Sequence, residues 1–88
     1  MAVTPEGRVK ATIKKLLDAY ASHWLMPVTG GYGSSGEPDF VACVNGWFIG
    51  IEAKAGDGTT TLLQDRRLAS IRKAGGIALV VNERNLGE

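Results

Sequence analysis

The stretch Gly36-Glu37-Pro38-Asp39-Phe40-Val41-Ala42-Cys43-Val44-Asn45-Gly46-Trp47-Phe48-Ile49-Gly50-Ile51-Glu52-Ala53-Lys54 decides the fold. Two apolar runs separated by Asn-Gly are the strongest short-range signal for a β-hairpin, because both turn residues tolerate the positive φ that a tight reversal demands. A two-residue loop at Asn45-Gly46 sets Val44 against Trp47. Stepping outward, it then pairs Cys43 with Phe48, Ala42 with Ile49, Val41 with Gly50, Phe40 with Ile51, and Asp39 with Glu52. Opposed strand residues share a face with Cβ atoms about 4.5–5.5 Å apart, so this register brings two carboxylates together. Like charges so placed repel unless a cation stands between them. Strand side chains alternate, which puts Lys54 on the face of Glu52.

The chain around this hairpin is short, and its 88 residues predict a single domain over 1–88 at the size where one core is marginal. A net charge of +1 gives no bulk attraction to nucleic acid, so any such case rests on where the charges lie. One cysteine, Cys43, excludes an intrachain disulfide, and no Cys/His spacing suggests zinc. Cys43 reads as a small buried strand residue. No signal peptide and no long apolar run is evident, which predicts a soluble cytoplasmic protein without a membrane partner.

Thr4-Pro5-Glu6 reads as a helix start, with Thr4 as N-cap and Pro5 at the first position. Val9, Ile13, Leu16, Leu17, Tyr20 and Trp24 fall on one helical stripe, with Lys10 and Lys14 on its flank. Glu6 falls inside the stripe. Either it complements the positive helix end, or it reaches the sheet edge that carries Asp39 and Glu52. The helix is expected to end near Ser22-His23-Trp24, with His23 complementing its negative end, because Pro27 disfavours continuation. Leu25 to Thr29 is then a short first strand at a sheet edge.

Thr29 to Gly36 contains a formal G-x-G-x-x-G at Gly31, Gly33 and Gly36. That motif cradles a dinucleotide only between a strand and a helix, and here Pro38 and a β-type run follow, so no nucleotide cofactor is expected. The loop serves either as a connector or as a place where substrate backbone approaches the carboxylates, with Tyr32, Ser34 and Ser35 as nucleic-acid contacts. Beyond the hairpin, Thr61-Leu62-Leu63-Gln64 fits a capping box and opens a second helix ending near Lys73-Ala74-Gly75-Gly76. Its stripe is Leu63, Leu68, Ile71 and Ala74. Gln64 and Arg67 lie inside that stripe, while Arg66, Arg72 and Lys73 lie outside it and read as solvated. Gln64 is explained either by the capping box or by the acidic site, and Arg67 either by snorkelling or by phosphate contact. Ile77 to Val81 reads as a strand buried on both faces, parallel to the hairpin's second strand through the helical crossover.

Where Glu6 reaches the sheet edge, three acids and a lysine converge at the outer end of the hairpin. Oxygen-only ligands suit Mg²⁺ or Mn²⁺, and magnesium takes one or two protein carboxylates together with phosphate oxygens. Such an ion acts on phosphoesters by polarising the phosphoryl group and activating water, with Lys54 stabilising charge on the transition state. The bland alternative is a surface ion cluster at a strand end.

The ordered set Glu6, Gly36, Pro38-Asp39, Glu52-Ala53-Lys54 and Gln64 resembles the PD-(D/E)xK nuclease signature, and specifically the VRR-NUC family in its minimal stand-alone form, found in bacteriophages and bacteria. The resemblance spans Thr4 to Val81. It implies a restriction-endonuclease-like αβββαβ core, a mixed central sheet flanked by two helices. It also implies a Mg²⁺- or Mn²⁺-dependent DNA endonuclease selective for branched substrates such as Holliday junctions, acting as a homodimer, in the host cytoplasm if phage-encoded. By that pattern Glu6, Asp39, Glu52 and the backbone carbonyl of Ala53 hold metal. Glu6, Asp39, Glu52, Lys54 and Gln64 carry catalysis, while Lys10, Lys14, Arg66 and Arg67 contact DNA phosphates. Glu37 departs from the pattern by adding a negative charge beside the site. An inactive nucleic-acid-binding or assembly module of the same fold is the competing reading, although such a module gains nothing from facing acids that repel phosphate.

Overall fold

Asn45 and Gly46 take φ of 51° and 84°, and the chain reverses on these two residues alone. Around that turn a computed structural model describes residues 4–28 and 36–86. The elements run α1 (Pro5–Tyr20), β1 (His23–Leu25), β2 (Phe40–Val44), β3 (Trp47–Ala53), α2 (Leu62–Lys73) and β4 (Ile77–Val81). They form an α/β arrangement of two helices and a four-stranded mixed sheet in the order β1-β2-β3-β4. The hairpin register follows the turn: Val44 meets Trp47 and Phe40 meets Ile51. β4 lies parallel to β3, with Ile51 beside Leu79 and Glu52 beside Val80.

The two sheet faces have different occupants. Phe40, Ala42, Ile51 and Ala53 share one face and pack with Val9, Ile13 and Leu17 of α1. Phe40 is fully buried at the centre of this cluster, a burial that stabilises the fold by about 1.5–3 kcal/mol. Alternation sends Val41, Gly50 and Glu52 to the other face, under α2. Gly50 lets that helix approach, since a Cβ there would lie 2.7 Å from Ile71 Cδ1 and 3.1 Å from Pro38 Cγ. No helix among the described residues is long and apolar enough to cross a membrane.

Several expectations change. The first helix stops at Tyr20, because Ala21 turns extended (φ −83°, ψ 142°) and Ser22 already donates its N–H to the Cys43 carbonyl. The strand therefore begins at His23, ahead of the expected Leu25. His23 pairs with Cys43 in β1 and is not a helix-end charge complement. Trp24 likewise leaves the helical stripe: its ring packs on Phe40 at a centroid distance of 5.8 Å and its Nε1–H donates to Asp18. Long-range pairing with β2 outweighs the helical periodicity.

β4 is an edge strand, not one buried on both faces: Ala78 is buried, while Ile77, Leu79 and Val80 are exposed. On the α1 face only Val81, at the end of β4, packs against the core cluster, while Ile77 and Leu79 lie beyond it; Val80 is on the opposite face. Cys43 is exposed rather than buried, for the related reason that α2 covers the β3–β4 side of its face. Arg72 is not simply solvated, since its guanidinium donates to the Ala78 carbonyl at 2.8 Å and ties α2 to β4.

The capping box of α2 forms as expected, with Thr61 Oγ1 accepting from Gln64 N and Gln64 Oε1 accepting from Thr61 N. Gly36, at φ 84°, packs against this helix start; a Cβ there would stand 2.7 Å from Leu63 Cγ and 2.8 Å from the Leu63 backbone carbon. Gly46 has the same φ but nothing within 4 Å. Gly36→Ala is therefore expected to cost more than about 1 kcal/mol, because strain and collision add. Gly46→Ala meets strain alone and loses less. Thermal unfolding of the two variants checks the order, and equal losses would contradict the packing described for Gly36.

Candidate functional site

The hairpin ladder stops at Phe40–Ile51, and the next residues outward build the site. In a two-residue hairpin Val44–Trp47, Ala42–Ile49 and Phe40–Ile51 are the pairs that exchange backbone hydrogen bonds, and the next such pair would be Pro38–Ala53. Proline has no N–H to return to the Ala53 carbonyl. Asp39 completes the other half of the exchange with its side chain, as Oδ2 accepts the Ala53 N–H at 2.8 Å. The chain leaves the ladder there, with the Asp39 carboxylate against the end of β3 and the Ala53 carbonyl without a backbone donor from Pro38.

Glu52 lies one residue before Ala53, on the face under α2, and is only 3% exposed. Its Oε2 accepts from Gln64 Nε2 at 2.9 Å and stands 3.5 Å from Lys54 Nζ. Its Oε1 is buried and has no hydrogen-bond partner among the described residues. Burial first and the Asp39 charge second raise the Glu52 pKa to about 7, with Lys54 only partly opposing them. Glu52 is therefore not the solvated strand end that a surface ion cluster would have. The Lys54 backbone is fixed as well, its N–H donating to the Val81 carbonyl at 2.9 Å.

α1 supplies the third side. Thr4 Oγ1 caps the helix by accepting from Gly7 N, which sets Glu6 in the first turn and Lys10 one turn later. The Lys10 ammonium stands 3.4 Å from Glu6 Oε2 and 3.6 Å from Asp39 Oδ1. Burial works to lower the Lys10 pKa, but Asp39 and Glu6 outweigh it and hold it above the ordinary value. Glu6 thus joins the site through Lys10. Among the described residues no group of three or more His, Cys, Asp or Glu side chains is placed to hold one ion, so Asp39 and Glu52 form the carboxylate pair and Glu6 stands behind it.

A cavity of about 390 Å³ opens beside this pair, bordered by Lys10, Pro27, Gly36, Glu37, Asp39 and Gln64. Glu37, the departure from the nuclease pattern, faces Arg67 with Nε 3.6 Å from Oε2. The extra negative charge is therefore neutralised within the chain. Arg67 is engaged in that pair, whereas Lys14 and Arg66 are exposed. Tyr32, Ser34 and Ser35 lie outside the described residues.

The structure brings together Asp39, Glu52, Ala53, Lys54 and Gln64, and adds Lys10 as the direct partner of Asp39. The i,i+4 spacing of Glu6 and Lys10 was a readable signal for half of that bridge. Nothing local in the sequence pairs Glu37 with Arg67, since they meet only when α2 docks.

The donor set fits a hard divalent cation: two carboxylates, a buried carboxylate oxygen without a partner, and a backbone carbonyl beyond the ladder. The chain matches no protein-family model, and no curated protein matches it closely enough to count as a relative.

Because the folded Glu52 pKa is raised, its stabilising contribution is full below its ordinary value of 4.5 and is lost as pH rises through about 7. In chelator, stability should therefore fall across that window, by up to about 3 kcal/mol from this group. Glu52→Gln should flatten the profile. Thermal melts at a series of pH values check this, and a wild-type slope retained in Glu52→Gln would contradict the assignment.

Proposed function

We propose that the chain is a Mg²⁺- or Mn²⁺-dependent DNA endonuclease of the PD-(D/E)xK type, with a restriction-endonuclease-like core that resembles the VRR-NUC family. The observation that carries this reading is the buried Glu52, its Oε1 unpartnered, beside Asp39 and with Lys54 on its other oxygen. Each acid has a lysine beside it, yet Glu52 is buried next to a second carboxylate with one oxygen left unbonded, an arrangement that costs stability and that a cation between the two acids would relieve.

In this reading Asp39, Glu52 and the Ala53 carbonyl hold the cation. When bound, the ion polarises the phosphoryl group and lowers the pKa of water. Gln64 fixes Oε2 of Glu52 and so leaves Oε1 for a ligand. Lys54 holds a positive charge beside the pair, where it offsets the negative charge that grows on the phosphate during in-line attack. Asp39 is held by its bond to Ala53 N, so its carboxylate need not reorganise. The exposed Lys14 and Arg66 add salt-dependent contacts to neighbouring phosphates. The homodimer implied by the resemblance has a surface to use, because Ile77, Leu79 and Val80 are exposed on the edge strand β4 and a second copy would cover them.

Labelled four-way junction, flap and linear duplex DNA incubated with Mg²⁺ or Mn²⁺ test the proposal. Cleavage is expected, preferentially of branched substrates. Chelator should abolish it, and Lys54→Ala should slow it by about a hundredfold or more. Binding without metal-dependent cleavage of any of the three would favour the inactive module.

A further inference from the structure

Lys10 stands where two demands conflict. Its ammonium is shared between Glu6 Oε2 at 3.4 Å and Asp39 Oδ1 at 3.6 Å, and it also borders the cavity of about 390 Å³ that Asp39 and Gln64 line. A divalent cation held by Asp39 would bring like charge onto this ammonium. The buried, unpartnered Oε1 of Glu52 is the independent mark of a ligand position on the other side of the pair.

We propose that Lys10 is a positioning residue that couples cation binding at Asp39 to the binding of a phosphodiester: the cation displaces the ammonium from Asp39 toward the cavity, where it meets the phosphate of the substrate. This inference rests on the metal-dependent reading of the site and adds to it a means by which the two ligands favour each other.

Charge and stereochemistry support the step. With all groups ionised, Glu6, Asp39 and Glu52 against Lys10 and Lys54 leave one negative charge, and a divalent cation turns this into one positive charge. The single negative charge of a phosphodiester cancels it, which selects a diester over a doubly charged terminal phosphate. Glu37 and Arg67, the other charged pair bordering this region, cancel each other. Lysine suits the role because its stem is flexible and its three donors are not tied to one plane. Glu6 stays within reach of the ammonium and keeps it near the cavity after it leaves Asp39.

Two titrations of the full chain test the coupling. In the first, Mn²⁺ is added without DNA and heat is measured. Lys10→Met, which removes the competing charge, should bind Mn²⁺ about fivefold more tightly than wild type or better. Lys10→Arg, whose fork can hold both carboxylates, should bind it no more tightly than wild type. In the second, fluorescent duplex DNA is bound in Ca²⁺ or in chelator. Wild type should gain affinity with Ca²⁺, and Lys10→Met should lose most of that gain.

Unchanged or weaker Mn²⁺ binding by Lys10→Met, or a cation-dependent gain in DNA affinity that survives the substitution, would overturn the inference alone. A wild-type chain that takes up no Mn²⁺ would overturn the reading of the site and this inference with it.

Discussion

Glu52 is 3% exposed and stands beside Asp39, so desolvation and Coulomb repulsion both oppose its ionisation, and together they raise its pKa to about 7. The fold could avoid this arrangement only by abandoning the hairpin register. Asn45 and Gly46 fix the turn, the turn fixes Phe40 against Ile51, and the next step outward sets the acids together. Moving one strand by a residue would send the apolar set of that strand, Phe40 and Ala42 included, to the wrong face. The core under α1 thereby enforces the repulsion under α2.

The chain spreads the resulting strain over four neighbours. Gln64 and Lys54 share Oε2 of Glu52, while Lys10 and the Ala53 N–H divide the oxygens of Asp39. Lys10 comes from α1, Gln64 from α2, and Ala53 and Lys54 from the end of β3, so the site is complete only when both helices have docked. One oxygen, Glu52 Oε1, gains nothing from this distribution. A buried acceptor left in that condition costs about 1–3 kcal/mol, a penalty that the proposed cation would remove. Local destabilisation of this kind is common where a site is built for a ligand rather than for stability.

Much of this was legible in the residues. Asn-Gly between apolar runs gave the register, Thr61-x-x-Gln64 gave the cap of α2, and Thr4-Pro5 gave the start of α1. Those signals are local, and local sequence carries them. The failures lie where distant parts of the chain decide. Trp24 fits a helical stripe, yet Ser22 and His23 find backbone partners on β2, and the helix stops at Tyr20, short of the expected Ser22-His23-Trp24. Ile77 to Val81 has the composition of a central strand, but whether a strand is flanked on one side or two depends on the order of the sheet. Lys10 and Arg67 each stand beside an acid that lies outside their own helix, Asp39 and Glu37, and no local signal announced either pairing. Charge partners across elements leave no periodic trace.

The central claim is that Asp39, Glu52 and the Ala53 carbonyl hold one divalent cation at the end of the hairpin. Paramagnetic broadening by Mn²⁺, added in less than equimolar amount to nitrogen-labelled protein, tests it without reference to any substrate. The amide signals of Asp39, Glu52, Ala53 and Lys54 should fade first and return with chelator, while those near Asp18 and Asp57 persist. Broadening centred on Asp18 or Asp57, or spread evenly over the acidic residues of the surface, would contradict the account.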